Sequence, residues 1–218
     1  KISSSGSLSY PYSNLEFLAD APMRLKSGLI SPVYVDNRKL FSHPEAWRDI
    51  VETMASRVEE YDLEFDIVAG VEAAGSMHAA ALAYRLGLPA IMVRQKAKTY
   101  GNHSRIEGGD VKDMRVLLLE DHISTGLSCL DAIRALRGEG AQVTQVMSIT
   151  NYAIPETQRL FKQEGIDTYD VIAFEKVVRK AKEMGVIDDE HEKLVLEWLQ
   201  TPWTWAAMHG VVASAIEN

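Results

Sequence analysis

Short apolar runs alternate with helix-like stretches along the middle of the chain, and this alternation constrains the fold more than any other feature of the sequence. The runs occupy residues 67–71 (IVAGV), 90–93 (AIMV), 116–119 (VLLL) and 143–150 (VTQVMSIT). Each has the length of a buried strand. Strands that alternate with helices form right-handed crossover units. The sequence therefore predicts an α/β fold with a central, mostly parallel sheet flanked by helices.

Helical spacing marks the stretches around these runs. Apolar side chains recur every three or four residues within residues 46–60 and 128–138, and residues 73–86 are rich in alanine. Two further helical stretches lie within residues 169–198, separated near Gly185. This periodicity is typical of amphipathic helices that pack one face on a core. We therefore expect helices on both faces of the sheet.

The length of the chain favours a single domain. A chain of 218 residues can bury one sizeable core. We expect one domain over residues 1–218, with an amino-terminal extension at about residues 1–45 and a helical tail at about residues 170–218. Within the extension, residues 29–40 have the pattern of extended structure.

Composition excludes several classes of partner. Hydrophobic residues make up 46% and charged residues 25% of the chain, as in a folded globular protein. The formal net charge of −8 opposes binding to nucleic acid, which needs a concentrated basic face. No apolar run reaches the ~20 residues of a membrane-spanning helix, so we expect no membrane partner. The single cysteine, Cys129, cannot form an intramolecular disulfide, and we expect a cytoplasmic protein.

One long stretch does not have the composition of a packed element. Residues 95–114 contain few large apolar side chains and include Gly101, Gly108 and Gly109. Such a stretch buries little surface, and we expect a loop. A functional lid and a disordered surface excursion are equally compatible with this composition.

One segment has the pattern of a ligand site. The apolar run at residues 116–119 leads into Glu120 and Asp121, then into a hydroxyl-rich turn at residues 122–128, and then into a helix. Backbone N–H groups and the positive end of a helix dipole at such a turn suit a phosphate monoester. Because carboxylates do not ligate phosphate, the ligand must also offer hydroxyl groups or a metal ion. A phosphorylated ribose fits, and the carboxylates would stabilise positive charge that develops on it.

Each part of this segment also has a purely structural interpretation. The hydroxyl groups of Ser124, Thr125 and Ser128 can cap a helix, and Glu120 and Asp121 can occupy its solvated first turn. Either part alone favours that interpretation. A strand, an acidic pair and a hydroxyl-rich turn in direct succession are far more specific, and together they favour a ligand site.

Residues 116–143 (VLLLEDHISTGLSCLDAIRALRGEGAQV) resemble the phosphoribosyl pyrophosphate motif of type I phosphoribosyltransferases. The resemblance implies that the turn binds the 5-phosphate of that donor and that the acidic pair contacts its ribose hydroxyls. The residues assigned to the donor site in this way are Glu120, Asp121, His122, Ile123, Ser124, Thr125, Gly126, Leu127 and Ser128.

Three other segments resemble orotate phosphoribosyltransferases, and with the donor motif they cover nearly the whole chain. They are residues 25–45 (LKSGLISPVYVDNRKLFSHPE), 93–101 (VRQKAKTYG) and 185–205 (GVIDDEHEKLVLEWLQTPWTW). The first is similar to the amino-terminal hood of that family, and residues 1–45 are called the hood below. The resemblance implies transfer of the phosphoribosyl group to orotate, which gives orotidine 5-phosphate and pyrophosphate in UMP biosynthesis.

The same resemblance assigns further roles. Lys26, Arg94, Lys98 and Tyr100 are expected to bind phosphoribosyl pyrophosphate, and Lys26 and Ser124 are expected to bind orotate. Catalytic roles fall to Asp121, Glu120 and Lys98. The resemblance also implies a homodimer in which the loop at residues 95–114 reaches the neighbouring active site. Mg²⁺ is implied, held mainly by the substrate and water, and the scattered histidines lack the spacing of a protein metal site.

Several positions depart from the family pattern. Gln95 replaces a second basic residue of the loop, for which Lys96 is the available substitute, and His122 and Leu127 replace residues that are usually smaller or aliphatic. At Asn151-Tyr152 the family usually has an aspartate and an arginine that holds the orotate carboxylate. Two alternatives therefore stay open: a phosphoribosyltransferase for another nitrogenous base, and a non-catalytic sensor of phosphoribosyl pyrophosphate.

Overall fold

The computed structural model describes residues 15–18, 22–97 and 104–211. The hood contains the short strands β1 (Leu15–Phe17), β2 (Met23–Arg24), β3 (Ile30–Ser31) and β4 (Val33–Val35). β1 pairs with β4 and β2 pairs with β3, in both cases antiparallel. Gly28, with φ 86°, supplies the left-handed backbone of the turn between β2 and β3.

A 3₁₀ helix at Asn37–Ser42 follows β4. The prediction of extended structure over residues 29–40 is therefore correct only as far as Val35. Oδ1 of Asp36 accepts a hydrogen bond from Arg38 N at 3.3 Å. This bond caps the 3₁₀ helix at the point where the extended segment ends.

The remaining elements build the central sheet and its helices. In chain order they are α1 (Pro44–Glu60), β5 (Ile67–Val71), α2 (Ala74–Leu86), β6 (Ala90–Val93), β7 (Ile106–Glu107), β8 (Arg115–Ile123), α3 (Leu127–Gly138), β9 (Gln142–Asn151), α4 (Pro155–Gln163), β10 (Asp167–Ala173), α5 (Phe174–Glu183), α6 (Asp189–Gln200) and α7 (Trp205–Met208). The spatial order of the strands is β10, β9, β8, β5, β6, β7. Neighbouring strands are parallel except β6 and β7, which are antiparallel.

Helices cover both faces of the sheet. Leu117 and Leu119 of β8 belong to a core shared with the hood, α1, α2, α5 and α6. Val116 and Leu118 belong to a second core, shared with α3 and α4. This alternation is the side-chain period of a strand that is buried on both faces. The predicted α/β fold, with a mostly parallel central sheet flanked by helices, is confirmed. Among the helices described, none combines the length and apolar character required to cross a bilayer.

Three parts of the sheet differ from prediction. β8 continues to Ile123, so Glu120 and Asp121 lie within the strand and the turn shrinks to residues 124–126. The apolar pattern misses β10, because β10 is an edge strand whose side chains are mostly half-exposed. The pattern also misses α4, the helix that precedes β10. β7 lies inside the predicted loop at residues 95–114, where it pairs with β6.

Aromatic side chains from distant parts of the chain hold the hood against the sheet. Trp198 of α6 donates a hydrogen bond from Nε1 to Ile30 O at 2.8 Å. The hydroxyl of Tyr152 donates to Val33 O at 3.2 Å. The two rings pack edge to face, with centroids 4.8 Å apart, and both side chains are buried. Side chains of α6 and of the residue that follows β9 thus hold the main chain of the hood strands.

Candidate active site

The turns that follow β5 and β8 lie side by side at the carboxyl edge of the sheet. A Cβ atom added at Gly75 would lie 2.6 Å from Leu119 O and 3.4 Å from Glu120 Oε1. One added at Gly70 would lie 2.4 Å from the Cα of Ser76. Only glycine permits this close approach of main chain. The carboxyl edge is where ligands of open α/β sheets bind.

The turn between β5 and α2 was not predicted from the sequence to lie beside the site. Its signal was the pair of glycines, Gly70 and Gly75, at a strand-to-helix junction. The structure also joins this turn to the start of the loop at residues 95–114. Gln95 N donates to a carboxylate oxygen of Glu72 at 3.0 Å, and Gln95 Nε2 donates to Glu72 O at 3.1 Å. Gln95, which replaces a basic residue of the family pattern, therefore has a structural partner.

Glu120, which is buried, and Asp121, which is half-buried, form an acidic pair at the end of β8. Glu120 is only 6% exposed, and its carboxylate accepts hydrogen bonds from Asp121 N at 3.1 Å and Ser128 Oγ at 3.2 Å. Burial, followed by the charge of Asp121, raises the pKa of Glu120 well above its usual value. Burial also raises the pKa of Asp121, although the positive charge of Arg38 opposes that effect. Each of the two carboxyls therefore takes up a proton at a higher pH than a free side chain of its type.

Residues 124–126 connect this pair to the start of α3. Gly126 is the N-cap of α3, with φ 73°, and no side chain caps that helix. Ser128 Oγ donates to Glu120 instead, and Thr157 Oγ1 donates to Ser124 O at 3.3 Å. The purely structural interpretation, in which the hydroxyls cap the helix, is therefore wrong. The first N–H groups of α3 have no partner within the helix, as at other helix starts.

Gly126→Ala is expected to distort this turn. An added Cβ would lie 2.9 Å from Cε2 of Phe161 and 3.0 Å from Cγ2 of Thr157, at a φ that L residues rarely adopt. We expect destabilisation of about 2 kcal/mol and weaker binding of phosphoribosyl pyrophosphate by about tenfold. Gly87→Ala is the matched control, because Gly87 has φ 70° and nothing within 4 Å of the added Cβ. Thermal unfolding measures the stability of each variant, and calorimetric titration measures its affinity for the donor. Equal donor affinities in the two variants would contradict the prediction.

His122 and the Asn151-Tyr152 pair lie where acceptor specificity was expected to depart from the family. His122 Nδ1 lies 2.9 Å from Thr150 Oγ1, and its ring packs edge-on against Tyr152 at 4.1 Å between centroids. Burial lowers the pKa of His122 to about 3, so the ring is neutral. Asn151 Oδ1 accepts from Ala153 N at 2.8 Å. Neither this pair nor His122 supplies a cation.

Some polar atoms of the site have no partner among the residues described. These are the buried Ser124 Oγ and the buried His122 Nε2. Buried polar atoms without a hydrogen bond are uncommon in folded proteins and are often satisfied by a ligand or water. Their position in and beside the turn at residues 124–126 is consistent with a ligand that supplies the missing partners.

Of the remaining predicted site residues that the structure describes, Lys26 and Arg94 lie outside residues 120–128, and Ile123 and Leu127 lie within that segment. Lys26 is exposed in the turn between β2 and β3. Arg94 Nη1 pairs with Glu107 Oε1 at 2.8 Å, and this partner raises the pKa of the guanidinium. Leu127 is exposed at the first residue of α3, and Ile123 is buried. Lys98 and Tyr100 lie outside the described residues. The structure therefore brings together residues 120–128, and it shows Arg94 held by a carboxylate.

Comparisons with known proteins agree with this geometry. A family model described as a phosphoribosyl transferase domain matches residues 36–184. The chain is 42% identical to the orotate phosphoribosyltransferase of Coxiella burnetii over 184 residues, which cover 84% of this chain and 88% of that relative. The crystal structure of the orotate phosphoribosyltransferase from Aeropyrum pernix is similar, with a TM-score of 0.64, 27% identity, and coverage of 77% of this chain and 92% of that one.

A larger protein shares the fold. The structure of Leishmania donovani UMP synthase matches with a TM-score of 0.75 and 26% identity over 86% of this chain. This chain spans 39% of that longer one. The family model covers more than half of the chain, and the Coxiella relative is similar over most of its length. The chain therefore belongs to the phosphoribosyltransferase family and, within it, to the orotate phosphoribosyltransferases.

Proposed function

We propose that this chain transfers the phosphoribosyl group of phosphoribosyl pyrophosphate to orotate, a step of UMP biosynthesis. The bond between C1 of the ribose and the pyrophosphate oxygen breaks, and a bond from a ring nitrogen of orotate to C1 forms. The observation that carries the proposal is the acidic pair of buried Glu120 and half-buried Asp121, a few residues before the start of α3, which no side chain caps. The orotate phosphoribosyltransferase of Coxiella burnetii, at 42% identity, supports the acceptor. We further propose that residues 1–218 form one domain in the cytoplasm.

The turn at residues 124–126 would bind the 5-phosphate. The unpaired N–H groups at the start of α3 and the dipole of this helix favour an anion there. The first turn of α3 contains no acidic residue that would repel it. Ser124 Oγ is buried without a partner among the described residues and would add a hydroxyl donor. Thr125 and Gly126 would complete the turn by their main chain.

The acidic pair would act on the ribose. Departure of pyrophosphate leaves positive charge on the ring, and a fixed carboxylate beside that charge stabilises the transition state. Asp121, which is less buried than Glu120 and lies in the field of the Arg38 guanidinium, would be the carboxylate that carries the negative charge. Both side chains would accept hydrogen bonds from ribose hydroxyls. Ser128 would keep Glu120 in place through its 3.2 Å hydrogen bond.

Cations would stabilise the leaving pyrophosphate. Arg94, Lys98 and Tyr100 are the residues assigned to it, with Lys98 acting on the charge that develops. Arg94 must exchange its Glu107 partner for the phosphate, which is possible because the pair is only half-buried. A loop that closes over the donor would also exclude water, which competes with the base for the ribose.

Mg²⁺ would be held mainly by pyrophosphate and ribose oxygens and by water. Within residues 15–18, 22–97 and 104–211, no three histidine, cysteine, aspartate or glutamate side chains are grouped so that they could hold a metal ion. The hard carboxylate oxygens of Glu120 and Asp121 are compatible with Mg²⁺. When bound, the ion would neutralise charge on the leaving group.

Orotate recognition would depend on Lys26 and neutral donors. The family arginine has no counterpart here, because Tyr152 uses its hydroxyl to hold Val33 O in the hood. Lys26 is an exposed cation of the hood and would meet the orotate carboxylate. Ser124 would donate from the opposite side of the acceptor. This arrangement is consistent with orotate as the acceptor. Experiment must decide whether a second base is also accepted.

A homodimer is also part of the proposal. Tyr84 is 91% exposed and Met77 is 46% exposed, and the two are seven residues apart on one face of α2. An exposed apolar face of this kind is typical of a surface that another chain covers. A second copy on α2 would lie close to the turn between β5 and α2. The loop at residues 95–114 would then be able to reach the neighbouring active site.

A panel of acceptors tests the proposal. With Mg²⁺ and phosphoribosyl pyrophosphate, we expect pyrophosphate release with orotate to exceed release with uracil, adenine, guanine, hypoxanthine or xanthine by at least ~10²-fold in kcat/KM. Omitting the base gives the background rate. Activity with a purine and none with orotate would establish the alternative phosphoribosyltransferase. Donor binding without release for any base would establish the sensor.

A further inference from the structure

We propose that Asn37 is a positioning residue that ties the hood to the acidic pair, so that donor binding depends on a docked hood. This inference rests on the proposed function, because it assigns Asn37 to the same active site. Asn37 is the first residue of the 3₁₀ helix that follows the hood strands. Its side chain is 0% exposed, which is unusual for a residue on such a short surface element.

The side-chain amide of Asn37 bridges the ends of two strands. Nδ2 donates to Asp121 O at 2.7 Å and to Thr150 Oγ1 at 2.8 Å. Asp121 lies on β8 and Thr150 on β9, and His122, the residue after Asp121, is the direct partner of Thr150 in the ladder. One buried amide therefore fixes the spacing of two strand ends at the carboxyl edge of the sheet.

The bridge continues into His122. Thr150 Oγ1, which accepts from Asn37, lies 2.9 Å from His122 Nδ1. The resemblance assigns His122 to the donor site, although the family usually has smaller or aliphatic residues there. The polar chain of Asn37, Thr150 and His122 gives that histidine a defined orientation next to Asp121.

This contact acts on Asp121 directly, unlike the other contacts that hold the hood. The carbonyl that Asn37 holds belongs to the peptide between Asp121 and His122, and its orientation sets the direction of the adjacent Cα–Cβ bonds. Displacement of a reacting group by about 1 Å can cost ~10²-fold in rate. Tyr152 and Trp198 instead hold Val33 O and Ile30 O and touch neither carboxylate in the hydrogen bonds described. Arg38, beside Asn37, adds its charge to the environment of Asp121.

Asn37→Leu tests the inference, because leucine keeps the volume and removes the donor. Measured by calorimetry with Mg²⁺ and no acceptor, the Kd of phosphoribosyl pyrophosphate is expected to rise about tenfold. We expect kcat to fall by a similar factor. Tyr152→Phe is the matched control, since it removes a hood contact that does not involve Asp121. It is expected to raise the KM of the acceptor and to leave the donor Kd within about twofold.

Thr150→Val provides a second test that leaves the Asn37 donor to Asp121 O in place. This variant is expected to raise the donor Kd by about threefold. If Asn37→Leu does not fold, the donor Kd of Thr150→Val tests the inference in its place. Wild-type donor affinity in the folded Asn37→Leu variant, or in Thr150→Val if it alone folds, would overturn the inference. An equal loss in Tyr152→Phe would also overturn it, because Asn37 would then act only by holding the hood. Since these titrations contain no acceptor, failure of the orotate assignment leaves the readout intact.

Discussion

Asp121→Asn is expected to lower kcat/KM for pyrophosphate release by at least ~10²-fold while the fold survives. Asparagine keeps the shape of the side chain and removes the negative charge that would stabilise the ribose in the transition state. The loss should fall mainly on kcat, because the charge develops only as pyrophosphate leaves. Release of pyrophosphate with orotate, Mg²⁺ and saturating donor measures it. Asp49→Asn, on the exposed face of α1, is the control.

Stability should move in the opposite direction. Burial raises the pKa of Asp121, so its carboxyl stabilises the fold fully below its unfolded pKa, roughly pH 4, and loses that contribution as the pH rises through the folded pKa. At neutral pH the buried charge therefore opposes folding. Asp121→Asn is expected to raise Tm there by a few degrees, and the gain should vanish in acid. Wild-type activity should fall as the pH drops through the raised pKa values of the pair.

Two results would contradict this account of Asp121. A wild-type rate of pyrophosphate release in Asp121→Asn would show that the Asp121 carboxylate takes no part in the reaction. A Tm of Asp121→Asn below that of the wild type at neutral pH would show that the Asp121 charge is well compensated in the fold. The raised pKa values would then no longer explain why the activity falls at low pH. Glu120→Gln separates the two carboxyls, since Glu120 is the more buried of the pair.

The sheet was predictable from the sequence wherever strands are buried on both faces. β5, β8 and β9 need apolar residues on both sides, and the run at residues 116–119 shows this directly. β6 is apolar throughout, although only Ile91 and Val93 are buried. β10 lies at the edge with polar and half-exposed side chains, so no apolar run reveals it. The end of β8 was hidden for a related reason. Glu120, Asp121 and His122 near its end belong to the proposed donor site, where polar side chains replace the apolar pattern while the backbone remains extended.

The proposed donor site could be inferred from the sequence because its residues are contiguous. Residues 120–128 lie on one strand, one turn and one helix start, so local order suffices to identify them. The turn between β5 and α2 joins the site only because β5 and β8 are neighbours in the sheet. Glu72, Gly75 and Gln95 therefore become visible only when the strand order is known.

Contacts that position the site are distant in sequence. Asn37 and Asp121 are 84 residues apart, Val33 and Tyr152 are 119 apart, and Ile30 and Trp198 are 168 apart. No periodicity or spacing rule links such positions. The side chain of Tyr152 illustrates the consequence. From the sequence it was a missing arginine, whereas in the structure it is a hydrogen-bonded anchor of the hood.

Lys98→Ala is the other substitution with a large expected effect. Lys98 lies outside the described residues, and its role follows from the resemblance and from the need to neutralise pyrophosphate as it leaves. We expect kcat to fall by at least ~10²-fold with little change in Tm. Lys112→Ala, at an exposed position before β8, is the control. Lys96→Ala tests whether that lysine supplies the cation missing at Gln95, in which case it also lowers kcat.

Mixing the two inactive variants tests whether the loop acts across subunits. In a dimer of Asp121→Asn with Lys98→Ala, a loop that reaches the neighbouring site leaves one site with both defects and the other with none. Random exchange of equal amounts makes half of the dimers mixed, so about a quarter of the wild-type activity should return. A loop that serves its own subunit leaves every site with one defect, and no activity returns. Absence of recovery in mixtures whose subunit exchange is verified by two affinity tags would therefore restrict the loop to its own chain.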